Sequence, residues 1–271
     1  MGIVTILYGF GIAGHFALGI YAVIALVIFL YAVTLLFIIH KNITLRQFVS
    51  AVITPAMLIF VLLFILLNVL YVEMVAHSWD EFSHWADVVK AMTYINDFAT
   101  NPDSHSQFQS YPPGMALLQY FFQKLHMFIR ADKVFTEWRL YLAYQTFALS
   151  MFFPFLEEKE LRTFEKIVLF LGIAVSVLVF YPDFYGSIYI DPFVAILAGT
   201  TFALIFNHIE KDKLYDIHIC LACVNLVLAK DIGIFFAVFV IMAYVINKVD
   251  FMIQNDGNKG TNVLKMFGGG V

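Results

Sequence analysis

The chain has 271 residues, 62% hydrophobic and only 13% charged, with a formal net charge of −4. That composition excludes an ordinary soluble domain, in which about a quarter of residues carry charge. Uncharged apolar runs of about 18 residues or more, without strict alternation over segments of about 10, predict an all-α polytopic transmembrane helical bundle and not an outer-membrane barrel.

Residues 1–39 contain no Asp, Glu, Lys or Arg. Phe16 to Ile39 is long enough to span, since about 20 helical residues cover a ~30 Å hydrocarbon core. Ile3 to Ala13 is too short and is broken by Gly9 and Gly11; it reads as half of a hairpin or the remainder of a longer helix. His40, Lys41 and Arg46 form a short basic loop, which the positive-inside rule places in the cytoplasm. Residues 1–47 are thus extra membrane helices and a cytoplasmic loop ahead of a core at 48–247. The core opens with a second span, Phe48 to Val72, kinked at Pro55.

That span delivers the one long polar stretch, an external loop at 73–112. Ser78 followed by Glu81 fits a capping box and predicts a helix from Ser78 to about Asn96. On it, Asp80, His84 and Asp87 share one face, while Trp79, Phe82, Trp85 and Val89 share another. This pattern predicts an amphipathic helix lying on the membrane surface.

Pro113 to Phe128 is apolar but interrupted by Gln119, Gln123, Lys124 and His126. Glu137 to Phe155 is a better span, with Arg139 near its start; Ile167 to Tyr181, Ile190 to Asn207, Ile217 to Ala229 and Ile232 to Asn247 are further apolar helices, some short, and 248–271 is a polar tail. If 113–128 is shallow, the loops 40–47, 157–166 and 208–214 and the tail share the cytoplasmic side and hold ten of the sixteen Lys and Arg. If it spans, that bias collapses, so the shallow placement is expected. Cys220 and Cys223 have redox or metal spacing, but they lie in an apolar run without the second pair a zinc site needs. They read as small buried hydrophobes.

On this topology Asp80-Glu81, the Tyr111-Pro112-Pro113 corner, Asp191 and the Lys230-Asp231 pair converge on the outer face. Such carboxylates can take a proton from an acceptor hydroxyl or hold a divalent cation, and such a lysine can receive a lipid phosphate. Each residue also has a plain account. Glu81 completes a capping box, Asp80 favours the helix dipole, His84 can be a hydrogen-bonded histidine, and Asp191 before Pro192 is a common N-cap. Lys230-Asp231 can be a local ion pair, although ionisable residues at membrane depth are functional by default. Pro112-Pro113-Gly114 is by itself a turn ahead of a helix.

A span, an aromatic-Asp-Glu opening the first external loop (Trp79-Asp80-Glu81), and a Pro-Pro corner opening the next helix resemble the GT-C superfamily. These are multi-pass glycosyltransferases that use polyprenyl-phosphate-linked sugars, among them protein O-mannosyltransferases and the lipid A aminoarabinose transferase. Tyr189-Ile190-Asp191 is similar to their later acidic position. The resemblance covers roughly Phe48 to Asn247. It implies Asp80 as catalytic base and Glu81 as its support at the donor or acceptor site. It also implies substrate contacts from His84, Tyr111, Pro112, Pro113, Asp191, Lys230 and Asp231.

Some relatives carry a basic residue before Pro-Pro, where this chain has Tyr111, so phosphate contact would pass to Lys230 or Arg139. The ending Gly268-Gly269-Gly270-Val271 reads as a fragment, a truncated product or a minimal member. The expected partners are a polyprenyl-phosphate-sugar donor, a glycan or lipid-linked acceptor and membrane lipids, with no nucleic acid. A divalent cation is the one cofactor weighed. The expected setting is a bacterial plasma membrane with the site facing outward. The competing readings are a polytopic transporter, which ought to show internal repeats, and a non-catalytic membrane component.

Overall fold

In the computed structural model the described residues are 1–156, 162–207 and 213–267, with residues 50–51, 156 and 251–267 described by backbone alone. They form helices joined by loops, without a strand among them. Helices α1 (Gly2–Ile12) and α2 (Phe16–His40) pack as a hairpin, and Val4, Leu7, Phe16 and Val23 bury their shared face. The chain then forms α3 (Leu45–Val52) and α4 (Pro55–Tyr71).

The expected single span from Phe48 to Val72 is therefore broken. Thr44 and Gln47 form a capping box that starts α3. The Thr54 hydroxyl accepts the Met57 N–H at 3.2 Å and restarts the helix with Pro55 in its first turn. A residue preceding proline is pushed out of the α region, so the chain breaks and recaps where a kink was expected.

After the polar loop come α5 (Ala86–Ile95), α6 (Gly114–Arg130), α7 (Trp138–Ser150), the short α8 (Phe153–Leu156) and α9 (Thr163–Phe180). The chain continues with α10 (Ile190–Phe206), α11 (Lys213–Ala229) and α12 (Gly233–Phe267). Helix α12 runs on as regular backbone well past Lys248, where a separate tail was expected. The expected loops 157–166 and 208–214 lie in part on 157–161 and 208–212, outside the described residues, as do Gly268 to Val271.

Among the described residues three helices are long and apolar enough to cross a membrane, at Phe16–His40, Thr163–Phe180 and Gly233–Asp250. Helices α1, α4 and α10 are shorter and equally apolar in character. The exterior fits that reading: α2, α4, α9 and α12 each expose several large apolar side chains that water would not favour. The interior is aromatic, with Tyr120, Tyr141, Tyr144, Phe170, Phe184 and Phe193 fully buried.

Both ends of the 113–137 segment lie at the same end of the bundle. Gly114 is pressed against the end of α11, where a Cβ would stand 2.6 Å from the Leu228 carbonyl oxygen. Glu137, just before α7, accepts the Ala76 N–H at 2.7 Å. Between them, the Lys124 ammonium of α6 donates to the Thr93 carbonyl of α5 at 2.9 Å. Helix α6 is unbroken from Gly114 to Arg130, and residues 131–137 bring the chain back along it, so that the Gln119 and Gln123 side chains donate to the Leu140 and Thr136 carbonyls. Helix α7 then descends beside α10, its Tyr144 and Phe147 meeting Phe193.

Candidate functional site

The polar loop folds around the Glu81 carboxylate, which is fully buried. Glu81 Oε1 accepts the Ile188 N–H at 3.0 Å. Glu81 Oε2 accepts the Tyr141 hydroxyl at 2.9 Å and the His77 and Ser78 N–H groups at 3.3 and 3.4 Å. Burial alone would favour the neutral acid, but these four donors outweigh it and hold the carboxyl below its usual pKa.

The expected capping box is therefore only half formed. The Glu81 N–H goes to the Ser78 carbonyl, and the Ser78 hydroxyl does not cap it. The carboxylate turns inward because Tyr141 and the 188 backbone offer it stronger partners than a helix end does. Its role is to tie the loop after α4 to α7 and to the loop before α10. No face of it is open to a substrate.

A π turn over Glu81–Trp85 precedes α5, which ends at Asn96 in the left-handed region. The extra residue in that turn splits the two expected faces. Trp79 and Phe82 project outward, whereas Val89 is buried and Trp85 half-buried. His84 is buried too, stacked on Phe108 at 4.3 Å and edge-on to Tyr111 at 4.5 Å. Its Nε2 has no hydrogen-bond partner. Burial pushes the imidazole pKa down to about 4, and the nearby Asp80 and Asp87 carboxylates only partly oppose this.

Asp80, by contrast, is exposed. Its carboxylate stands beside the Tyr189 hydroxyl, whose pKa Ser78 pulls down but desolvation and Asp80 together raise. On the neighbouring elements, Lys230 Nζ reaches Asp191 Oδ1 at 2.5 Å. Partial burial disfavours the ammonium, but Asp191 and the adjacent Tyr111 oxygen prevail and raise its pKa. Burial likewise raises Tyr111, with Lys230 pulling the other way. Asp231 is exposed and close enough to act on Tyr111 electrostatically.

The lysine is placed by a tight break between α11 and α12. There a Cβ on Gly233 would fall 1.8 Å from the Leu226 oxygen, so only glycine lets the chain turn so sharply. Pro112 and Pro113 stand at the same corner and set the approach of Tyr111 to it.

Asp80, Tyr111, Asp191, Lys230 and Asp231 thus gather at one end of the bundle, with His84 edge-on to Tyr111 and Glu81 holding the frame from inside. Arg139 is absent from the group; it packs on the Trp138 ring at 4.1 Å. Next to the cluster, an apolar groove of about 450 Å³ runs between α9 and α10, lined by Val177, Phe180, Ala195 and Ile196, with Tyr189 and Asp191 at its mouth. On the other side of Tyr111 a cavity of about 290 Å³ is lined by Tyr8, Phe98, Thr100, Gln109 and Ser110.

Among the described residues no three His, Cys, Asp or Glu side chains stand together as a metal site. Cys220 and Cys223 are free thiols, and Cys223 Sγ lies 3.9 Å from the Ala237 carbonyl in a helix contact.

Sequence reasoning did not find Tyr141, Phe108 or the pairing of Tyr189 with Asp80. A hydroxyl within an apolar run is a weak sign of a buried acceptor nearby, and it names no partner. Comparison of the chain with family models, with curated proteins and with solved structures returned no match.

Proposed function

We propose that this protein is a membrane glycosyltransferase of GT-C type, moving a sugar from a polyprenyl-phosphate donor to an acceptor hydroxyl at the outer face of a bacterial plasma membrane. The observation that carries the reading is the mouth of the α9–α10 groove, where Tyr189 touches the exposed Asp80 and Asp191 holds Lys230. A lipid-sized apolar slot, a free carboxylate and a cation meet there, as transfer from a lipid phosphate requires. The prenyl tail would occupy the groove and its phosphate would face Lys230.

Asp80 takes the proton of the acceptor hydroxyl as its oxygen bonds to the anomeric carbon. The bond from that carbon to the phosphate oxygen breaks, and the electron pair leaves with the polyprenyl phosphate. Lys230 offsets the charge that develops on the departing oxygen. Glu81 acts only through position, by fixing where Asp80 and the 188–191 backbone stand. The acceptor, a glycan or lipid-linked saccharide, approaches from the cavity beside Tyr111, whose aromatic and hydroxyl lining suits a sugar face.

Asp80→Asn tests this. It keeps size and helix geometry but removes the proton acceptor, so transfer by the full-length protein with a competent donor should fall at least ~10²-fold while donor binding survives. Near-wild-type transfer at matched expression would end the assignment of Asp80.

A further inference from the structure

A second pocket, remote from the Asp80 cluster, has a different chemistry. It measures about 510 Å³ and lies between α2, α5 and α6. Ile20, Tyr21 and Ile24 of α2 and Phe128 of α6 give it an apolar wall, and Lys124 and Lys133 bring two ammonium groups to it. No carboxylate lines it. Lys124 has a neutral partner, the Thr93 carbonyl, and the nearby Asp97 carboxylate is occupied by the Phe98 N–H and the Asn101 amide.

We infer that this pocket binds an anionic glycerophospholipid, with the phosphate between Lys124 and Lys133 and one acyl chain along the Ile20–Ile24 face of α2. Two like charges that share a half-buried site repel each other, and burial together with Lys133 lowers the Lys124 pKa. A phosphate between them removes that cost, which a zwitterionic headgroup does less well. Tyr21 and Tyr94 are exposed at the rim, where amphipathic rings sit at headgroup depth. On the topology proposed above both lysines lie on the outer side. The rule that retains basic residues in the cytoplasm does not account for them there, and a bound anion does.

The test is native mass spectrometry of the full chain released from detergent micelles doped with equal phosphatidylglycerol and phosphatidylcholine of matched acyl chains. Each lysine near a membrane surface contributes about fivefold in affinity for an anionic lipid, so wild type should retain phosphatidylglycerol over phosphatidylcholine by about tenfold or more. The pair Lys124→Gln with Lys133→Gln should lose that preference, and Lys230→Gln should keep it. Because Lys124 also ties α6 to α5, Lys133→Gln alone serves as the variant with no structural bond to lose, and it should show a partial drop.

Equal retention of the two lipids by wild type would overturn the inference, as would an undiminished preference in the double variant. Displacement of the lipid by glycerol 3-phosphate at equal concentration would show a site for soluble anions and overturn it too. So would preferential capture of polyprenyl phosphate through the same two lysines.

Discussion

The Ile188 N–H donates to Glu81 Oε1 at 3.0 Å, joining residues 107 positions apart in the chain. With Tyr141 on the other oxygen, that carboxylate fastens three separate segments to one another. Glu81→Ala would leave the buried Ile188 N–H without an acceptor and the Tyr141 phenol with only the long 3.4 Å bond to the Val75 carbonyl. It is expected to lower stability by about 3 kcal/mol, and Glu81→Gln, which restores one acceptor oxygen, by about 1 kcal/mol. Unfolding in mixed micelles measures both. Asp80→Asn should leave stability unchanged in the same assay, so the neighbouring carboxylates separate into one that holds structure and one that is free to react.

His84 supplies a pH signature. Its folded pKa of about 4 lies below the ordinary value of 6.5, so between those values the unfolded chain binds a proton that the folded chain does not. Stability is therefore full above about pH 6.5, falls as the pH drops toward 4, and levels off below that, with a total loss of up to about 3 kcal/mol from this group. His84→Phe keeps the stack on Phe108 and removes the proton site. Melting temperature against pH should be flatter for the variant across that window; an unchanged slope would show that His84 does not titrate there.

How far these roles were legible in the sequence depended on their range. Helix α2 and the extent of the Ser78–Asn96 helix followed from apolar length and cap residues, all of them local. The gathering of Asp80, Tyr111, Asp191 and Lys230 followed from sidedness, because a membrane confines polar loops to two planes. What could not be read was the partner of each group. The sequence offers Ser78 as the near partner of Glu81, whereas Tyr141 and Ile188, 60 and 107 residues away, win the carboxylate. The break at Pro55 was likewise open to a kink or a stop, and the Thr54 side chain decided for a stop.

The Lys230–Asp191 pair, at 2.5 Å but only partly shielded from solvent, is expected to matter for binding more than for folding. Lys230→Gln should cost no more than about 1 kcal/mol of stability, as partly exposed pairs do. Donor binding should weaken by about tenfold or more through the lost phosphate contact. Asp191→Asn frees the ammonium, so it should leave donor affinity equal or higher. A double-mutant cycle on donor Kd reads the coupling; additive losses from the two single changes would separate the pair from the donor site.

Sidedness itself is open to direct measurement. With Cys220 and Cys223 replaced by Ser, single cysteines are introduced at Asn101, Tyr185 and Asn42. Asn101 and Tyr185 belong to the loops that surround the Asp80 cluster, and Asn42 sits in the turn after α2 at the opposite end of that helix. A membrane-impermeant maleimide added to intact cells should label Asn101→Cys and Tyr185→Cys and spare Asn42→Cys until the membrane is opened. Labelling of Asn42→Cys alone would invert the topology and place the cluster in the cytoplasm. Labelling of Asn101→Cys without Tyr185→Cys would mean that α7 and α9 do not both cross, and the loops that Glu81 fastens together could then not share one face.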